Sequence, residues 1–246
     1  NMLGKTQAKY IQSLGQKKVR DQEGVYIAEG PKIVAELLAT RPDDIVNVYA
    51  LQNWIAGNEK TLDQSRLIAI AEHELAKISQ LSTPNEVLAV VRKPDCRQPL
   101  EFKGRISLVL DTIQDPGNLG TIIRIADWFD IGQIICSPDC ADAYNPKVVQ
   151  SSMGSIFRMH MHYTNLEGIL SQQKDIPILA ATLDGVNIRN ISPVKQGLIV
   201  IGNESKGISR EIMNLVTEKI TIPRVGKAES LNAAVATGII LSHLQG

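Results

Sequence analysis

Ile106-Ser107-Leu108-Val109-Leu110-Asp111-Thr112-Ile113-Gln114-Asp115-Pro116-Gly117-Asn118-Leu119-Gly120 runs from an apolar strand through a polar turn into a helix. Residues 106–110 form a short apolar run of strand length. Asp115-Pro116-Gly117 is turn chemistry, and Asn118 is a good N-cap for a helix over residues 119–128. The same alternation continues downstream. Strand-like segments recur at 133–136, 157–161, 178–182, 198–201 and 219–222, and helical segments fall at 146–152, 166–173, 209–216 and 232–243. Apolar strands alternating with helices specify an α/β fold with a mostly parallel sheet and helices on both faces. Ligands in such folds bind at the carboxyl ends of the strands.

Upstream, residues 25–28 read as a strand, and Gly30-Pro31 opens a helix to residue 39, with proline at the tolerated first turn. Strands at 45–50, 66–70 and 87–91 and helices at 52–56 and 72–79 complete a small α/β sandwich. Lys93-Pro94-Asp95-Cys96-Arg97-Gln98-Pro99-Leu100 has two prolines and no periodicity, as a linker does. The expected organisation is therefore 1–92, a linker at 93–104, and 105–246.

The 246 residues suit a small domain plus a medium one, with 43% hydrophobic and 21% charged residues, an ordinary globular composition. No apolar run reaches the roughly 18 residues of a membrane span. The first residues show no secretory pattern, and Asn1 before Met2 reads as an expression remnant. Cys96, Cys136 and Cys140 make no disulfide framework, which fits a cytoplasmic setting. Cys136 and Cys140 lack a second pair, so no metal site is expected. Lys and Arg number 14 against 13 acidic residues in 1–104, and 12 against 13 in 105–246. Neither half is a basic block, although Lys5, Lys9, Lys17, Lys18 and Arg20 all precede the first acid, Asp21. That cluster permits an RNA partner and equally suits a solvated helix face.

Polar residues gather after the strands. Arg124 follows Asn118 on one helix; local physics alone favours Asn118 as a cap and Arg124 as the partner of a carboxylate such as Asp127. Gly202-Asn203-Glu204-Ser205-Lys206-Gly207 puts two glycines around a polar turn, allowing close ligand approach and offering N–H donors. It has neither Walker nor Gly-x-Gly-x-x-Gly spacing, and a plain strand-to-helix turn fits it equally. Ala233, Ala234, Ala236 and Gly238 keep the last helix thin for close packing, with Ser230 and Asn232 at its mouth. His160 and His162 face one side of a strand without a third ligand, a structural arrangement. Trp128 and Phe129 read as packing their helix rather than stacking on bases.

Asn118-Leu119-Gly120 with Arg124, the stretch from Ile201 through Ser209, and Ile222-Pro223 with Glu229-Ser230-Leu231-Asn232-Ala233-Ala234-Val235-Ala236 together resemble the three motifs of the SpoU-type (SPOUT superfamily, TrmH-like) RNA methyltransferases. They stand in the family's order and spacing over residues 105–246. Tyr26-Ile27-Ala28-Glu29-Gly30-Pro31-Lys32 resembles part of the family's N-terminal substrate-binding domain, of ribosomal-protein-like fold. Asp130, where a small residue is common, and Asn203, where Ser or Ala is common, are the departures.

The resemblance implies a C-terminal segment threaded into a trefoil knot, an exception to ordinary connectivity. It also implies a homodimer through the knotted domain, with the active site where two knots meet. The implied reaction is methylation of a ribose 2′-hydroxyl in RNA, ribosomal or transfer, with S-adenosylmethionine as cofactor and no metal. By resemblance, Leu179, Ala180, Ala181, Thr182, Gly202, Asn203, Gly207, Ile222, Leu231 and Ala236 line the cofactor site. Arg124 is the catalytic residue, acting electrostatically because a guanidinium stays protonated. Asn118, Glu204, Ser230 and Asn232 position the ribose and Arg124, with Glu204 the candidate proton acceptor. Lys17, Lys18 and Arg20 are the expected RNA contacts. A non-catalytic RNA-binding module and a small-molecule α/β transferase are the rival readings.

Overall fold

A computed structural model describes residues 3–58, 63–95 and 98–245; the readings of Asn1 and Cys96 lie outside these. The chain packs into two compact units, one of Asn1–Asp95 with Asp142–Phe157, the other of Cys96–Ala141 with Arg158–Gly246.

The first unit opens with α1 (Lys5–Ser13) and α2 (Lys17–Glu23), which ends on Gly24 at φ +65°. There follow β1 (Val25–Glu29), α3 (Pro31–Thr40), β2 (Ile45–Ala50), α4 (Gln52–Asn58), β3 (Leu67–Ala69), α5 (Glu72–Ile78) and β4 (Val87–Arg92). The sheet order is β1-β4-β2-β3, with β4 antiparallel to both neighbours and β2 parallel to β3. Ile11, Leu14, Ile27, Tyr49, Leu75, Ile78 and Leu88 form its core, each contributing about 1.5–3 kcal/mol by burial. Glu29 is buried at the end of β1, where its carboxylate accepts from Ser79 Oγ and Gln80 N, both at 2.6 Å. Burial raises its pKa.

The second unit begins with β5 (Ile106–Asp111), α6 (Pro116–Trp128) and β6 (Gln133–Cys136). The next helix, α7 (Pro146–Ser152), packs against β1 of the first unit although it falls within the downstream strand–helix alternation. Its approach is fixed by Tyr144, whose ring lies 4.7 Å from that of Tyr26, and by Asp142, which is ion-paired with Arg20. The second unit resumes with β7 (His160–Tyr163), α8 (Leu166–Leu170), β8 (Ile178–Asn187), β9 (Gly197–Gly202), α9 (Arg210–Met213), β10 (Glu218–Thr221) and α10 (Ala233–Leu244). The strand expected at 157–161 starts only at His160, because Ser155–Arg158 is a 3-10 turn that buries Ile156 and Phe157.

The six-stranded sheet has the order β10-β8-β9-β5-β6-β7, and all its pairings are parallel. From β5 the chain builds outward to β6 and β7, then crosses to β8, and β9 fills the place between β8 and β5. The direction of building therefore reverses beside β5, the place where open α/β sheets bind ligands. Asp111 ends β5 directly opposite Gly202 at the end of β9, so the loops that follow both strands leave the same edge.

Candidate active site

The site is organised around Asn118. Asp115, not Asn118, caps α6: its Oδ1 accepts from Asn118 N at 2.7 Å, and Pro116 takes the first helical position, where no N–H is needed. The amide side chain of Asn118 is thereby released for other work. Its Nδ2 donates to Glu204 Oε1, and its Oδ1 accepts from Asn232 Nδ2 at 2.8 Å. Asn232 is itself the cap of α10, with Oδ1 accepting from Ala234 N (2.9 Å) and Val235 N (3.2 Å). One side chain thus ties together the three loops that follow β5, β9 and β10.

The loop after β9 is held with little freedom. Asn203 and Gly207 exchange backbone hydrogen bonds at 3.0 and 2.9 Å. Asn203 Oδ1 accepts from Ser205 N and Lys206 N, while its Nδ2 donates to Thr112 O at 2.8 Å. A Cβ on Gly202 would meet Gly207 C at 2.5 Å, so only glycine lets the loop close. Thr112 has φ +61°, a conformation a β-branched residue adopts only under strain of about 1–3 kcal/mol. It is held there by Ser137 Oγ, which accepts from Thr112 N at 2.9 Å, while the buried Asp111 carboxylate accepts from Ser209 N at 2.7 Å. Hydrogen bonds, first from Ser137, keep the Asp139 carboxyl below its usual range. Cys140 Sγ accepts from Ile113 N at 3.3 Å, and its hydrogen bond with Cys136 brings its pKa down to about 7. The Cys136 thiol is correspondingly pushed up. Asp111, Thr112, Ser137 and Asp139 escaped the sequence reading; polar residues ending β5 and β6 were the available signal.

Of the residues expected at a cofactor site, Leu179 and Ala180 are buried in β8 and paired on both sides, so their side chains serve the core. Ala181 and Thr182 lie beyond that pairing. The ladder between β8 and β10 jumps from Lys219 opposite Ala180 to Ile220 opposite Val186, and residues 181–185 loop out between. Leu183 is 76% exposed on this excursion, and Lys219 Nζ reaches Asp184 at 3.3 Å. Lys219 first and Thr182 second hold the Asp184 carboxyl below its usual range. Thr182 Oγ1 is buried with no partner at ordinary hydrogen-bond geometry, and Asp184 is the acceptor that its hydroxyl faces. A buried hydroxyl with spare capacity, exposed Leu183 and Leu231, half-buried Ile222 and the closed loop at Gly202 suit a ligand with an apolar ring and polar substituents. The donor set suits an organic group; among the described residues no His, Cys, Asp and Glu cluster could hold a metal ion.

Arg124 is exposed and has no hydrogen bond or ion pair among the described residues. The carboxylate expected to hold it, Asp127, instead takes Arg158, whose Nε lies 3.0 Å from both oxygens and whose Nη2 lies 2.7 Å from Oδ2. Six residues of helix put Arg124 about 9 Å along the axis from Asn118 and about 120° around it, so one chain does not aim both at one point. Ser230 is exposed and outside the hydrogen-bonded cluster, and Ala236 is half-buried on α10. Lys17 and Lys18 are exposed, Lys17 being paired with Asp21 at 2.8 Å. Arg20 corrects the expectation of a surface contact. It is 1% exposed, donating to Leu14 O and Gly15 O and pairing with Asp142 at 2.5 Å, so it holds the first unit together. Trp128 reverses its expectation too, standing 84% exposed at the end of α6.

Residues 105–242 match the model of the SpoU rRNA Methylase family, more than half of the chain. The chain belongs to that family. Residues 5–89 match the MRM3-like substrate binding domain. The Bacillus subtilis protein called 23S rRNA (guanosine(2553)-2'-O)-methyltransferase RlmP is 28% identical over 94% of this chain and 92% of its own. A TrmH-family protein from Porphyromonas gingivalis superposes with a TM-score of 0.89 at 33% identity, over 100% of this chain and 99% of its own. An rRNA methyltransferase from Sinorhizobium meliloti, solved with AdoMet bound, superposes with a TM-score of 0.85 at 28% identity, over 99% and 97%.

Proposed function

We propose that this chain transfers a methyl group from S-adenosylmethionine to a ribose 2′-hydroxyl of RNA, with ribosomal RNA as the substrate class. The observation that carries this reading is the junction at Asn118, which joins the loops after β5, β9 and β10 at the carboxyl edge of the parallel sheet. Membership of the SpoU rRNA methylase family and the ribosomal substrate of the Bacillus subtilis relative support it. The first unit, with its match to a substrate binding domain, is the proposed RNA reader. We assign Lys17 and Lys18 to phosphate contacts.

When bound, S-adenosylmethionine supplies an activated methyl on a sulfonium leaving group. The loop 202–207, Thr182, Ile222 and Leu231 bind it. Asn118 occupies Glu204 Oε1 and leaves Oε2 open to take the proton of the attacking hydroxyl. Arg124 stabilises the developing alkoxide or grips the adjoining phosphate, as a fixed positive charge does. Arg124 and Asn118 of one chain point apart, which supports a homodimer through the knotted domain, with one chain lending Arg124 to its partner's cluster. Val235 and Ile239, exposed four residues apart on α10, offer apolar surface for that association. The trefoil knot belongs to the same proposal, as does a cytoplasmic location, where buried thiols stay reduced. Among the described residues no helix is long and apolar enough to cross a membrane.

The test is incorporation of labelled methyl from S-adenosylmethionine into ribosomal RNA from a strain lacking the gene. Incorporation supports transfer. Cofactor binding without incorporation into any RNA would favour the rival, a binding module on the same fold.

A further inference from the structure

Two of the chain's three cysteines stand side by side in the second unit, and the transfer reaction uses neither. Cys136 ends β6, and Cys140 follows across a turn in which Cys140 N donates to Ser137 O at 3.1 Å. The turn folds the chain back so that the Cys136 thiol hydrogen-bonds the Cys140 sulfur. Cys136 is sealed in the core at 0% exposure, whereas Cys140 keeps 8% at the margin. Ser137 Oγ lies 3.4 Å from Cys140 Sγ, and the Tyr163 hydroxyl adjoins Cys136. These contacts make Cys140 the sulfur that ionises, at about 7, and Cys136 the one that keeps its proton. A buried thiol that only fills space behaves as a small hydrophobe. Cys140 does more, since its Sγ accepts from Ile113 N and donates to Leu110 O, both at 3.3 Å. Ile113 adjoins Thr112, whose carbonyl accepts from Asn203 Nδ2 at 2.8 Å, and Asn203 closes the loop 202–207. The Cys140 sulfur is thus tied through Ile113, Thr112 and Asn203 to the loop proposed to bind the cofactor.

We propose that Cys136 and Cys140 are a site of oxidation by hydrogen peroxide, and that the disulfide they form loosens the cofactor loop. The Cys140 thiolate attacks one oxygen of the peroxide; the O–O bond breaks, hydroxide leaves, and Cys140 becomes a sulfenic acid. The Cys136 sulfur then displaces the sulfenic hydroxyl, which leaves as water with the Cys136 proton as the S–S bond forms. The two sulfurs give up two electrons, and the peroxide is reduced to two molecules of water. An S–S bond is about 2.0 Å long, much shorter than a hydrogen bond to sulfur. Closing it draws Cys140 Sγ away from Ile113 N and removes the S–H that Leu110 O accepts. Transient disulfides of this kind are the form that redox sensing takes in a reducing compartment. The effect on the cofactor rests on the methyltransferase reading; formation of the disulfide does not.

The test uses the full chain carrying Cys96→Ser, so that Cys136 and Cys140 are its only thiols. Hydrogen peroxide should remove two hydrogen atoms from the peptide that contains both cysteines, as read by mass. S-adenosylmethionine affinity, measured by calorimetry, should fall about ten-fold with the lost hydrogen bonds and return on reduction with dithiothreitol. Adding Cys136→Ala should halt the sequence at the Cys140 sulfenic acid, which dimedone captures. Cys140→Ser keeps an acceptor for Ile113 N, so it should bind the cofactor as the reduced protein does and be indifferent to peroxide. Sulfinic acid in place of the disulfide, or no oxidation under conditions that oxidise free cysteine, would overturn the proposal. So would a disulfide that leaves cofactor affinity unchanged, or an equal loss of affinity in peroxide-treated Cys140→Ser. If the reduced protein binds no S-adenosylmethionine, the methyltransferase reading fails, while the mass of the oxidised peptide still decides the oxidation site.

Discussion

Asn232 Nδ2 donates to Asn118 Oδ1 at 2.8 Å, which fixes the orientation of the Asn118 amide and turns its Nδ2 toward Glu204. Because Asn232 is itself held by the first N–H groups of α10, the position of Glu204 is set from the helix N-terminus outward. Asn118→Asp keeps the shape but sets one carboxylate against another. It should reduce methyl transfer about 10²–10³-fold with little change in cofactor affinity. Adding Glu204→Gln should restore thermal stability but not turnover, because the group that accepts the proton has gone. Steady-state kinetics beside calorimetric cofactor binding checks both.

Gly202→Ala should destabilise the protein by about 3 kcal/mol and abolish cofactor binding. The new Cβ meets backbone atoms of Gly207 and Ile208, which cannot move aside as a side chain would. Urea unfolding measures the first effect, and a normal unfolding midpoint would refute the steric account.

Arg20 and Asp142 form an ion pair across 122 residues of sequence inside the first unit. Arg20→Met strands the Asp142 carboxylate and should cost about 3–5 kcal/mol, whereas Arg20→Met with Asp142→Leu should recover most of the loss. Equal destabilisation by the single and double variants would show that the pairing is not what matters.

Much of the fold was legible because parallel strands buried on both faces read as near-continuous apolar runs, as residues 108–110 and 198–201 do. What stayed hidden depends on distant partners. Asp115 and Asn118 both carry the chemistry of a helix cap, and only the placement of Pro116 decides for Asp115. Arg20 sits in a basic stretch that looks solvated until Asp142 is brought to it. The excursion at residues 181–185 follows from a jump in the β8–β10 ladder that no local pattern announces. Trp128 was read as a packing residue because aromatics in apolar helices usually are; its exposure follows from its place on the face of α6 opposite Ile122 and Ala126.

Cys140 titrates at about 7, below its ordinary 9.0, chiefly through its bond with Cys136. A depressed folded pKa means the folded state releases its proton first. Stability should therefore rise from pH 7 to 9 and be lost again as pH falls through 7, by about 3 kcal/mol at most. Urea midpoints across that window, compared with Cys140→Ala, isolate the effect; the variant should show less pH dependence.

The most direct test of the central claim is to map the methyl group. RNA treated with the protein and labelled S-adenosylmethionine is digested to nucleosides and resolved by mass. The account predicts one 2′-O-methylated nucleotide, absent with Arg124→Ala although that variant still binds the cofactor. A methyl group on a base, or undiminished ribose methylation by Arg124→Ala, would contradict it.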